Sequence, residues 1–223
     1  VGDLDSHDLS CRLLARDARC HVLAVDYRLA PEHPFPAATD DLLAVWRWVQ
    51  QHADQLGADP KRVVIGGDSA GGNLATITCL RARDAGEPVP LGQLLIYPGI
   101  DLTCAMTSHT EFARGFFLED AMIAFFLQHY LGGADPTHPN ASPWFADSVA
   151  GLPPAAVITC GFDPLRDEGE AWAHRLRDAG VPVSLRCEPA LVHGFMNMDG
   201  AIDAAAAANT RLVGDLRRLF GEA

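Results

Sequence analysis

The sequence has little positive charge, and Lys61 is its only lysine. Its 17 Lys and Arg residues are outnumbered by 29 Asp and Glu residues, which gives a formal net charge of −12. No basic patch is visible, which argues against a nucleic acid partner and against binding to an anionic membrane surface. No apolar run approaches the roughly 18 residues that a membrane-spanning helix needs. We therefore expect no nucleic acid partner and no membrane span. We also expect a cytoplasmic location.

Sequence motifs for metal, disulfide and nucleotide sites are also missing. The six cysteines form no Cys-x-x-Cys pair and do not cluster with histidines at zinc spacing. Cys79, Cys160 and Cys187 lie in apolar stretches, where a free thiol behaves as a small hydrophobic side chain, so buried thiols are favoured over disulfides. The sequence has neither Gly-x-Gly-x-x-Gly nor a phosphate-binding loop. We therefore expect no cofactor and no metal.

The hydrophobic pattern alternates between short β-branched runs and amphipathic segments. A length of 223 residues, 48% of them hydrophobic, suits one domain with a large core. Strands separated by helices imply parallel pairing with both faces of the sheet covered, so we expect an α/β fold. The predicted strands are residues 21–29, 62–66, 91–99, 155–161 and 181–189, and the predicted helices are residues 35–57, 72–86, 167–180 and 201–220.

One short motif carries reactive chemistry, the pentad Gly-Asp-Ser-Ala-Gly centred on Ser69. A predicted strand ends at Gly66 just before it, and a helix begins within the next few residues. This strand–turn–helix context is the one that a nucleophile elbow requires, with the serine at the tip of the turn. The alternative is a glycine turn with no chemical role.

A serine hydroxyl needs a base, and the base needs an orienting acid. His193 follows the last predicted strand, in a loop at the carboxyl edge of the sheet, where open α/β folds build their sites. Asp163 is the first carboxylate after strand 155–161, whereas residues 167–168 suit the positive end of the following helix. Asp101 is the competing acid. The order Ser69, Asp163, His193 is that of the α/β-hydrolases.

Four stretches in this order, "DYRLAPEHPFPAA", "GDSAGGN", "DPLRDEG" and "HGF", resemble the hormone-sensitive lipase family of esterases over essentially the whole chain. The resemblance is to the branch whose elbow reads Gly-Asp-Ser-Ala-Gly. It implies an α/β-hydrolase fold and hydrolysis of small carboxylic esters with short or medium acyl chains. It also implies that Ser69 is the nucleophile, Asp163 the acid, His193 the base and the amide of Ala70 one oxyanion donor. It leaves a homodimer open.

We interpret residues 1–223 as one catalytic domain in which residues 101–151 form an insertion. This insertion is long for a connection between strands, which favours a purpose for it. It contains apolar residues on one helical face, for most of which we expect packing on the core: Met122, Phe125, Phe126 and Tyr130. The alternative is that part of the insertion caps Ser69 and that some aromatic side chains line an acyl pocket.

The chain opens with "VGDLDSHD", which in the resembled family follows closely after a His-Gly-Gly-Gly loop that supplies further oxyanion donors. The family also has a strand between those matching 21–29 and 62–66. Without it, two strands would face a gap with unpaired backbone groups, which is unfavourable when buried. We therefore expect a fragment whose early strands, loop and cap arm lie upstream, and which as given is poorly soluble and nearly inactive.

The functional expectation is a serine carboxylesterase that acts through an acyl-enzyme intermediate. Two alternatives remain open at this point. One is a non-catalytic small-molecule-binding protein on the same fold, because a fold does not fix function. The other is an amidase or peptidase with the same three residues, which only substrate assays separate from an esterase.

Overall fold

The structure is a computed structural model that describes residues 2–222. Within that range seven α-helices surround one sheet of four strands. The helices are α1 Leu4–Ala18, α2 Ala37–His52, α3 Ala70–Asp84, α4 Thr107–Glu111, α5 Asp120–Leu131, α6 Arg166–Asp178 and α7 Asp203–Leu219. The strands are β1 Val64–Asp68, β2 Gly92–Ile96, β3 Ala155–Phe162 and β4 Val183–Val192. Short 3-10 turns stand at Ala53–Leu56, Pro143–Phe145 and Phe195–Asn197.

The sheet is parallel throughout, with its strands in the order of the sequence. β1 pairs with β2, β2 with β3, and β3 with β4. Each connection between neighbouring strands contains a helix, as a parallel crossover requires. The predicted α/β fold with a parallel sheet is confirmed, and four of the five predicted strands lie close to their predicted positions.

Helices cover both faces of this sheet and form two separate apolar layers. On one face, Ile96 and Ile158 pack with Leu212 of α7 and with residues of α1. On the other face, Leu95 and Val157 pack with α3 and α6, including the fully buried Trp172. Successive residues of a strand point to opposite faces, so each central strand contributes to both layers. The buried strands hold the carboxyl edge of the sheet in a fixed place.

The strand predicted over residues 21–29 is wrong. This segment is extended but pairs with no strand of the described range, and most of its residues are exposed. A cleft of about 1280 Å³ separates it from β1, whose outer edge pairs with no strand of residues 2–222. A strand exists only through its ladder of hydrogen bonds, so apolar β-branched residues without a partner strand remain irregular. Ion pairing between Arg28 and Asp41 ties the segment to α2 instead.

Residues 101–151 contain α4 and α5, and the prediction that their apolar face packs on the core is wrong for two residues. Met122 and Phe125 are 42% and 57% exposed, respectively. Ile123 supplies the buried side chain of α5, and Tyr130 lies with its ring edge towards Phe35 at a centroid distance of 6.0 Å. An apolar face indicates that one side of a helix is suited to burial, but it does not identify the surface against which that side packs.

All six cysteines lie within the described residues and are free thiols. Cys79 and Cys160 are fully buried, as expected, whereas Cys187 is only half-buried. None of the helices between residues 2 and 222 combines the length and the apolar character that crossing a membrane requires.

Candidate active site

Ser69 stands between β1 and α3 with φ 54° and ψ −116°, a backbone conformation that residues other than glycine rarely adopt. The sharp turn is possible because glycines stand two residues before Ser69 and two and three residues after it. A Cβ atom on Gly67 would lie 2.3 Å from the carbonyl carbon of Gly71, and one on Gly72 would lie 2.7 Å from Pro98. The turn therefore has the strained strand-to-helix geometry of a nucleophile elbow.

Three side chains that are far apart in the sequence form one hydrogen-bonded chain. The Oγ atom of Ser69 lies 2.8 Å from Nε2 of His193. The Nδ1 atom of the same imidazole lies 2.8 Å from Oδ2 of Asp163. His193 follows the end of β4 and Asp163 follows the end of β3, so the carboxyl edge of the sheet brings them to the elbow. Asp163 is fully buried, while Ser69 is half-buried and borders the cleft.

The competing acid, Asp101, lies elsewhere. Its Oδ1 atom accepts hydrogen bonds from the backbone amide and the hydroxyl of Thr103, at 2.9 and 2.6 Å. Asp163 uses its second carboxylate oxygen to accept from the amide of Leu165, at 2.9 Å, which holds the carboxylate plane in place. The structure thus puts Asp163 beside His193, and it uses Asp101 to close a turn.

The amide of Ala70 is the first in α3, where helix N–H groups lack intrahelical acceptors. The residue is exposed and lines the cleft next to Ser69. An oxyanion that forms on a group bound to Ser69 would meet this amide and the positive end of α3. This is the one oxyanion donor that the sequence predicted within the chain.

Sequence reasoning missed the groups that pack around these three residues. The ring of Tyr97, which is almost fully buried, lies against the imidazole of His193 at a centroid distance of 4.6 Å. The carboxylate of Asp68, the residue before Ser69, lies 3.4 Å from the Tyr97 hydroxyl and 3.4 Å from Nε2 of His7. The hydrogen bond to Asp68 raises the pKa of His7 above its ordinary value. No periodicity or spacing in the sequence indicates these contacts.

A second buried pair, His109 and Glu168, was also missed. Their Nε2 and Oε2 atoms are 2.8 Å apart, and the two side chains are 5% and 1% exposed. Our interpretation of Glu168 as a residue at the positive end of a helix is therefore incomplete. It is in the first turn of α6, but its carboxylate points into the protein.

The insertion approaches the site through its aromatic residues. The Phe116 ring stacks on Phe162, the residue before Asp163, at a centroid distance of 5.4 Å and an interplanar angle of 1°. The ring of Phe117 is 64% exposed and lies over Gly194, where an added Cβ would be 3.3 Å from it. These rings border the acid and the base and provide apolar surface beside the reactive serine.

Comparison with known proteins identifies the family to which this architecture belongs. A model of the alpha/beta hydrolase fold family matches residues 1–197. The chain belongs to this family. The match spans the elbow, the loop of Asp163 and the loop of His193, so the similarity covers the site as well as the sheet.

Two of the similar curated proteins are named as ester hydrolases. The carboxylic ester hydrolase LipN of Mycobacterium tuberculosis is 48% identical over 224 residues, which cover 97% of this chain and 60% of LipN. The carboxylesterase NlhH of the same organism is 44% identical, over 98% of this chain and 70% of NlhH. These similarities confirm the predicted resemblance to esterases of the hormone-sensitive lipase type. The chain spans only about three fifths of the length of LipN.

Solved structures agree with this assignment. An ester hydrolase from the metagenome of Lake Arreo, complexed with a derivative of bipyridine phosphonate, superposes with a TM-score of 0.96 at 43% identity. The aligned region is 99% of this chain and 70% of that one. A hyperthermophilic esterase of Pyrobaculum calidifontis gives a TM-score of 0.93 at 40% identity, over 98% of this chain and 73% of its own.

Proposed function

We propose that the protein is a serine carboxylesterase whose nucleophile, base and acid are Ser69, His193 and Asp163. The observation that carries the proposal is the unbroken hydrogen-bonded chain from the Ser69 hydroxyl through the imidazole to a buried carboxylate, with both distances at 2.8 Å. Such a chain makes a serine hydroxyl nucleophilic at neutral pH. The strained conformation of Ser69 supports the same role, because strain of this kind is concentrated at functional sites.

In the proposed reaction each group has one task. As the Ser69 Oγ attacks the ester carbonyl carbon, its proton passes to Nε2 of His193. The oxyanion of the tetrahedral intermediate accepts a hydrogen bond from the Ala70 amide, and the imidazolium then protonates the leaving alcohol. Asp163 accepts a hydrogen bond from the Nδ1–H group throughout, which fixes the tautomer of His193 and stabilises the imidazolium. Water attacks the acyl-enzyme by the same route, with His193 again as the base.

We further propose that the natural substrates are small carboxylic esters with short or medium acyl chains, and that residues 101–151 act as part of a cap. The exposed ring of Phe117 beside Gly194 and the Phe116–Phe162 stack support an apolar wall near the base. The names of LipN and NlhH, a carboxylic ester hydrolase and a carboxylesterase, support the reaction class.

The test is hydrolysis of a series of p-nitrophenyl esters by the protein produced from its complete gene. We expect kcat/KM to be highest for acetate to hexanoate and to fall steeply for acyl chains longer than about ten carbons. A preference for long-chain triglycerides at an interface would contradict the substrate assignment. Hydrolysis of p-nitroanilides at rates equal to those of the matching esters would favour an amidase instead.

A further inference from the structure

The carboxylate of Glu168 is the most deeply buried charged group near the site that has no part in the proposed chemistry. Its Oε1 atom accepts hydrogen bonds from the backbone amides of Ile100, at 2.6 Å, and Asp101, at 3.3 Å. Its Oε2 atom accepts from Nε2 of His109, at 2.8 Å. Burying a carboxylate is unfavourable unless such bonds and an opposite charge satisfy it. Here three donors from two separate segments converge on one carboxylate.

The first of these segments leads to the nucleophile. Ile100 and Asp101 belong to the loop after β2, and the preceding residue, Gly99, donates its amide to the carbonyl oxygen of Ser69 at 3.3 Å. The carbonyl of Gly99 accepts from Nδ2 of Asn73, in the first turn of α3, at 2.9 Å. By holding residues 100 and 101, Glu168 fixes the loop that lies against the elbow.

The second segment leads to the acid. His109 belongs to α4, and its neighbour Ser108 donates its hydroxyl to the carbonyl oxygen of Pro164, the residue after Asp163, at 2.6 Å. The amide of Ser108 donates to Oδ2 of Asp167 at 2.9 Å. Through these two hydrogen bonds, helix α4 holds the loop that carries Asp163. The next residue of α4, His109, adds a third contact, to Glu168.

We propose that His109 and Glu168 are positioning residues for the reaction. Their hydrogen-bonded pair joins the loop against Ser69, the loop of Asp163 and helix α4 of the insertion, and so keeps the nucleophile and the acid at the right separation. The inference rests on the proposed function, because it assumes that Ser69 and Asp163 react as described. A misplacement of about 1 Å at reacting groups lowers turnover by about 10²-fold. Small shifts at the His109–Glu168 pair, which we call the junction, therefore affect catalysis.

The test compares His109→Gln, Glu168→Gln and the double variant with Leu176→Ala, all in the protein produced from its complete gene. Leu176 is fully buried in the same helix as Glu168, and its side chain packs in the apolar layer of α3 and α6. Its truncation lowers stability through a cavity and leaves the polar junction intact. Each protein is assayed at least 15 °C below its own Tm for kcat and KM on p-nitrophenyl acetate, and for the rate at which a fluorophosphonate labels Ser69.

We expect each single variant to lower kcat by about 10- to 100-fold with KM changed less than about threefold, and labelling to slow in parallel. We expect the double variant to recover several-fold in kcat over His109→Gln, because removing the carboxylate charge leaves no unpaired buried ion. Leu176→Ala should keep kcat within about threefold. Should Glu168→Gln not fold, His109→Gln carries the same comparison.

Two results overturn the proposal in distinguishable ways. If wild-type protein is labelled at Ser69 and the junction variants match Leu176→Ala in kcat and labelling, the pair is only structural and the proposed function stands. If folded wild-type protein is not labelled at Ser69, the proposed function and this inference both fail.

Discussion

Gly67 is the residue of the elbow whose replacement the structure predicts to be most disruptive. A Cβ atom there would lie 2.3 Å from the carbonyl carbon of Gly71 and 2.5 Å from its oxygen, where ordinary contacts are 3.4–4 Å. Strand β1 and helix α3 would have to separate by about 1 Å, and overpacking of this kind costs about 1–3 kcal/mol. The same displacement at Ser69 would lower its reactivity by about 10²-fold. We therefore expect Gly67→Ala to lower Tm by several degrees and to slow fluorophosphonate labelling about 100-fold.

Gly71→Ala is the matched control, because a Cβ atom there has no neighbour within 4 Å. We expect its free energy of unfolding, measured by urea titration, to stay within about 0.5 kcal/mol of the wild-type value. Wild-type stability and labelling in Gly67→Ala would refute the close-approach reasoning. Equal losses in both variants would refute it as well, because the two glycines would then be needed for a common reason.

Two further predictions concern the acid and the pH dependence. Asp163→Asn should lower kcat by about 10⁴-fold and Asp101→Asn by less than tenfold, and steady-state assays showing the opposite order would exchange their roles. Burial acts to lower the pKa of His109, but its hydrogen bonds to Cys104 and Glu168 outweigh this effect and raise the pKa from 6.5 to about 10. Because the folded pKa exceeds the unfolded one, this stabilisation is complete below about pH 6.5 and is lost as the pH rises towards about 10. Urea titrations should therefore show the stability of the wild-type protein falling more steeply with pH than that of His109→Gln across this range, and parallel curves would contradict the ion pair.

Much of the sheet and of the site could be predicted because the signals are local. The glycines around Ser69, the β-branched run before it and the apolar helix after it stand within about twenty residues. The loops of Asp163 and His193 follow strands that are themselves recognisable as short buried runs. The carboxyl ends of parallel strands share one edge, so the meeting of these residues follows from the topology.

The rest depends on contacts that a local pattern does not contain. Residues 21–29 have the composition of a strand, but a strand also needs a neighbouring strand with which its backbone can form hydrogen bonds. The apolar face of α5 predicts a covered surface, yet Met122 and Phe125 are exposed. His109 and Glu168 are 59 residues apart in sequence, and each stands in a polar stretch that reads as solvent-facing. Only the fold shows that they meet in the interior.

The central claim is that Ser69 is an activated nucleophile, and mass spectrometry after treatment with a fluorophosphonate tests it most directly. We predict one equivalent of adduct on the peptide that contains Ser69, formed within minutes by the protein produced from its complete gene. Ser69→Ala should show no adduct and less than a few per cent of wild-type turnover, with an unchanged circular dichroism spectrum. A folded wild-type protein that stays unmodified, or a Ser69→Ala variant that hydrolyses esters at the wild-type rate, would contradict the account.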